Sequence, residues 1–199
     1  MITHMPRPSR AGALRTGAIV LAAVAVLSAR AGAQAITQGP DDTNRREFLA
    51  RVEAYAQLHR SIESGLPRLE PTSDVARVLA RRQALTDGIR RARNRSTPGE
   101  IFIPGVRAYF RELIRKALMA HTRQEARAIL AEVPRAIRVR VNQEYPATAP
   151  LATIPPELLT ELPPLPSELE YRFLGRALIL RDAGANLVVD YIESAVPRI

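Results

Sequence analysis

Residues Leu169 to Ile192 read LEYRFLGRALILRDAGANLVVDYI, and no other stretch of this 199-residue chain restricts the fold so tightly. Leu169, Tyr171 and Phe173 alternate with Glu170 and Arg172, the period-two pattern of a strand with one wet face. Gly175-Arg176 suits a two-residue hairpin turn, with glycine where φ must be positive. Ala177 to Leu180 is apolar on both faces, as a central strand covered on both sides by helices would be. The DAGAN segment turns the chain again, and turn chemistry accounts for Asp182. Leu187 to Ile192 completes a three-stranded meander, with Asp190 pointing away from Val189 and Tyr191. A carboxylate within a strand calls for a partner, and Arg172 or Arg181 is the expected one.

So small a sheet needs cover from elsewhere, and the upstream sequence offers helices. Phe48, Val52, Tyr55, His59 and Ile62 recur at spacings of four and three, which predicts an amphipathic helix capped at Thr43 or Asn44 and running to Ser64. Gly65 and Pro67 stop it. Ser73 should cap a second helix, with Asp74 in its first turn and an apolar stripe of Val75, Val78, Leu79, Leu85 and Ile89. Pro104 opens a third, whose broad apolar face runs from Val106 to Ala117. Thr122 and Glu125 form a capping-box pattern for a fourth, ending before Pro134. Short connections favour antiparallel packing of the first helices. Ile137, Val139 and Val141 alternate with Arg138 and Arg140, predicting a further half-buried strand.

Pro146 to Pro166 holds seven prolines in 21 residues, too many for a sheet interior. Its leucines suit a strap packed on the domain better than a disordered linker, with one helical turn at Pro156 to Leu162. The fold class is therefore α+β: about four amphipathic helices, then a small antiparallel sheet with a C-terminal meander. The expected organisation is a signal peptide over 1–33, a mainly helical region over 34–145, the strap over 146–168 and the meander over 169–199, with 34–199 as one domain.

The signal-peptide reading rests on Arg7, Arg10 and Arg15, the apolar run Gly17 to Leu27, and small-x-small sites at Ala31-Gly32-Ala33 and Ala33-Gln34-Ala35. Arg30 follows too soon for a membrane-spanning helix of roughly 20 apolar residues. The periplasm is the expected location, with secretion as the alternative. Cysteine is absent, so the fold must rest on its core alone.

Charge narrows the partner class. Without the four arginines of residues 1–33, 25 basic and 20 acidic residues leave a net charge of +5. Ser73 to Arg95 alone carries +5, from seven arginines against Asp74 and Asp87, and the remainder balances. Export argues against nucleic acid as the partner. Projected along a helix, Arg77, Arg81, Arg91 and Arg95 lie broadly opposite the apolar stripe, while Arg82 and Arg93 fall within it. The four opposite the stripe are the candidate anion- or partner-binding residues, and Arg82 is expected to be buried or snorkelling.

Catalytic patterns do not emerge. His59 lies on an apolar stripe as a packed histidine would, and His121 stands at a helix boundary. Glu63, four residues after His59, does not complete a metal-ligand set. Neither a G-x-S-x-G nor a glycine-rich phosphate loop occurs, and no cofactor is expected.

The segment LPPLPSELEYRFLGRALILRDAGANLVVDYI resembles the C-terminal module of the RcnB-like family of small bacterial periplasmic proteins. Tyr171-Arg172, Gly175, the strand at Leu178 to Leu180, Asp182 and the closing LVVD carry the resemblance. It covers about 30 residues and implies the periplasm and a small sheet. The family's association with nickel and cobalt homeostasis implies an accessory role in metal stress, with no ligand assigned. The expected function is a non-enzymatic structural or interaction role in the cell envelope, with an unknown envelope protein or an anionic surface as partner. A homodimer through helix faces is left open.

Overall fold

In a computed structural model, residues 39–131, 138–145 and 156–198 are described. The proposed signal peptide, Pro134, Ile137 and the first half of the proline strap lie outside them.

Helix α1 spans Pro40–Ser64, α2 Val75–Ala92, α3 Pro104–Met119 and α4 Arg123–Ala131, with a single-turn α5 at Pro156–Leu159. Strands β1 (Leu169–Leu174), β2 (Ala177–Asp182) and β3 (Leu187–Ile192) form one antiparallel sheet in that order. The predicted α+β architecture is the observed one. Pairing runs from Leu169 opposite Asp182 to Leu174 opposite Ala177, leaving Gly175 and Arg176 as the turn. Gly175 has φ of 56°, the left-handed conformation that glycine adopts without a Cβ penalty.

Several boundaries differ from expectation for local reasons. Helix α1 starts three residues before Thr43, at Pro40, because proline at the first helical position needs no N–H acceptor. Asp41 and Asp42 then complement the helix dipole. Asp74, not Ser73, caps α2: its carboxylate accepts the N–H groups of Ala76 and Arg77. The capping box of α4 forms as predicted, with Thr122 and Glu125 bonding reciprocally.

Phe48, Phe102 and Phe110 sit at the centre of the main core, with ring centroids 4.7 to 5.6 Å apart. Tyr171 stacks beside Phe48 from the sheet. Leu178, Leu180, Leu187 and Val189 join this cluster, so one sheet face packs on the helices. Leu158 and Leu162 also enter it, so the described part of the strap packs on the body.

The other sheet face is covered differently from expectation. Leu174, Ile179 and Val188 pack with Tyr145, and Val139 lies against them. The described part of the predicted 137–141 strand forms no strand: residues 138–140 are irregular and Val141-Asn142 turn, Asn142 taking a φ of 62°. The segment joins the sheet just beyond, where Glu144 bridges Leu187 and Tyr145 N–H donates to Asn186 O. Irregular chain, rather than helix, shields the second face of the central strand.

Asp190 is fully buried, and its neighbour is not an arginine. Oδ1 accepts the N–H groups of Gly99 and Tyr191, and Oδ2 those of Ile101 and Phe102, at 2.8 to 2.9 Å. Arg172 and Arg181 instead share Glu170. A buried carboxylate must be matched by donors, and here the α2–α3 loop supplies them from its backbone. Replacing Asp190 with Ala removes the acceptor from several buried N–H groups. Urea denaturation of D190A should show a loss on the order of 3 kcal/mol or more, against a far smaller loss for D87A on the solvent side of α2.

Candidate functional site

The second buried aspartate, Asp182, organises a polar cluster that joins α1 to the β2–β3 hairpin. Tyr55 and His59 are one helical turn apart on α1, so both project from the same face toward the β2–β3 hairpin. Asp182, at the end of β2, is fully buried beneath them. Its Oδ2 accepts from the Tyr55 hydroxyl at 2.8 Å and from His59 Nδ1 at 2.6 Å. Its Oδ1 accepts the Ala185 N–H at 2.7 Å, which closes the hairpin turn. Turn chemistry was therefore half of its role. Gly184 keeps the turn close: a Cβ there would stand 3.1 Å from His59 Cε1.

On the outer side His59 Nε2 faces Glu63 Oε2 at 3.6 Å. Burial works against a charge on His59, but the hydrogen bond and charge of Asp182, with Glu63 and Glu168 beyond, outweigh it and raise the pKa above 6.5. Burial raises the Tyr55 hydroxyl well above its usual range, and the Asp182 charge and hydrogen bond add to this. An Asp–His pair can orient a general base toward a nucleophile, yet here the outer nitrogen meets a carboxylate. The arrangement favours the charged form of the imidazole.

Arg93 forms the next polar node. Its guanidinium lies 5.2 Å from the Tyr55 ring centroid and donates to Val189 O at 3.1 Å, with Asn142 and Glu100 also in reach. Asn142 returns a bond from its side-chain amide to Arg93 O. Thr86 Oγ1 lies 2.7 Å from Ala185 O, linking α2 to the same hairpin.

The arginines singled out by sequence do not assemble into one surface. Arg81 is half-buried and committed to Pro67 O and Glu63 at the end of α1. Arg77 and Arg91 are exposed on α2, while Arg95 lies beyond the helix, which ends at Ala92. Arg82 is exposed, and Arg93, placed by the C-terminal cap of α2, is the buried arginine of this region. His121 is half-buried at the α3–α4 boundary. Among the described residues no group of three or more His, Asp or Glu side chains could hold a metal ion, and no helix is long and apolar enough to cross a membrane.

Sequence reasoning missed the Tyr55–His59–Asp182 cluster because Asp182 lies more than 120 residues from the other two. The available signal was the pair of polar-tipped rings four residues apart on an otherwise apolar stripe. No protein-family model, curated protein or solved structure matches this chain.

The raised His59 pKa carries a sign. A histidine stabilised in its charged form contributes fully below its unfolded value of about 6.5 and loses that contribution as pH rises through the folded value. The urea midpoint of the wild type should therefore fall between about pH 6 and pH 9, and that fall should be reduced in H59Q.

Proposed function

We propose that this protein is an exported, non-enzymatic component of the cell envelope that works by interaction, through the exposed first half of α2. One observation carries this reading. The apolar stripe of α2 continues past the body: Leu85 and Ile89 are buried, but Val75, Val78 and Leu79 are 68, 38 and 52 % exposed. Every residue from Ser73 to Ala80 is exposed. Exposed apolar side chains grouped on one helix mark interaction surfaces more often than scattered ones do. The buried acids and His59 meanwhile serve to join elements, which suits a scaffold better than a reaction centre. The apolar N-terminal run and the resemblance to a periplasmic module support the envelope as the setting.

A second reading, binding of anionic envelope surfaces, is favoured by the exposure of Arg77, Arg82 and Arg91 on this helix. Arginine next to apolar side chains suits anionic headgroups. Metal-stress accessory function rests on the resemblance alone.

Val75→Asp/Leu79→Asp should release the protein from an isolated envelope fraction while leaving the thermal midpoint within about 2–4 °C of wild type. Unchanged association would remove the reading. Sedimentation with phosphatidylglycerol vesicles separates the two partners: a lipid surface gives binding that weakens with salt and with Arg77→Gln/Arg82→Gln, and a protein partner gives none.

A further inference from the structure

A cleft of about 520 Å³ opens between the strap and β1, a size typical of small-ligand sites. Leu159, Leu162, Pro164 and Leu165 line it from the strap, and Leu169 to Arg172 from the strand. Leu159 is half exposed at its rim. The cleft is thus apolar along the strap, with Glu170 and Arg172 supplying charge from β1.

The charged part is unbalanced. Glu170 bridges two guanidiniums, Oε2 to Arg172 Nη2 and Oε1 to Arg181 Nη1. The Arg172, Arg181 and Glu170 side chains are only 16, 13 and 25 % exposed, so two cations share one carboxylate with little water. Arg172 Nη1 reaches Tyr171 O at 3.4 Å, a long contact, and Arg172 Nε is buried with no hydrogen-bond partner. The other buried side-chain atom without a partner among the described residues is the Tyr145 hydroxyl, whose ring lies 5.2 Å from the Arg181 guanidinium. Buried donors are nearly always matched, and buried charges nearly always neutralised. Arg172 thus keeps a donor without an acceptor while sharing its carboxylate with Arg181.

We infer that this cleft binds an aliphatic carboxylate, with its hydrocarbon tail along Leu159, Leu162 and Leu165 and its carboxylate on Arg172. A second carboxylate balances the two guanidiniums. It can also take up Arg172 Nη1, whose contact with Tyr171 O is long, in the geometry that guanidinium and carboxylate favour. Glu170 opposes the incoming charge, but Arg181 remains bonded to it and holds it aside. The inference is independent of the α2 surface, which the cleft residues do not include.

Titration calorimetry on the full chain with decanoate, decanol and acetate tests it. Decanoate should bind saturably, decanol at least tenfold more weakly and acetate not measurably. Arg172→Gln, which leaves Glu170 paired with Arg181, should weaken decanoate about tenfold, equivalent to about 1.4 kcal/mol, and leave decanol unchanged. Leu159→Asp, at an exposed position, should weaken both decanoate and decanol. Equal binding of decanoate and decanol, decanoate binding indifferent to Arg172→Gln, or no saturable binding of decanoate would each overturn the assignment.

Discussion

Two buried aspartates on one hairpin hold this fold together. Asp182 ends β2 and grips α1 through Tyr55 and His59. Asp190 lies in β3 and grips the loop between α2 and α3 through backbone N–H groups. Burying a carboxylate is costly unless every lone pair is met, so each aspartate requires its partner element in place. Hydrophobic contact alone would let helices slide on the sheet. The directed bonds to Asp182 and Asp190 set where they stop.

This accounts for how the ionisable groups are distributed. Arg93 sits between the two aspartate systems, with its charge over the Tyr55 ring and a bond to the β3 backbone. His59 carries a raised pKa because it lies between Asp182 and Glu63. In another protein such features would suggest a reaction centre. Here each one bridges two secondary-structure elements, and His59 is almost sealed from solvent. A perturbed pKa alone does not distinguish a reaction centre from a structural ion pair.

The exposed apolar side chains of α2 and the strap cleft lie at the margins of the body. The first turns of α2 present valine and leucine beside arginine, and the strap forms one wall of a largely apolar cleft with Glu170 and Arg172 at its polar side. Both features arise where a sequence pattern extends beyond what the core covers. The α2 stripe has the spacing of a buried face along its whole length, yet the body reaches only Leu85 and Ile89. The leucines of the strap are likewise divided, Leu158 and Leu162 packed inside and Leu159 exposed.

Local pattern alone determined the helices, the capping box at Thr122 and Glu125, the Gly175-Arg176 turn and the three strands, since each depends on spacing or on backbone preference within a few residues. It misassigned the cover of the central strand, the partner of Asp190, and which arginine of the α2 region is buried. Those depend on contacts between residues dozens of positions apart, and 100° per residue says nothing once a helix has ended, as at Arg93 and Arg95. Periodicity tells a side chain which face it shares; only the tertiary structure supplies what lies opposite. For a buried carboxylate or guanidinium, that opposite group decides its role.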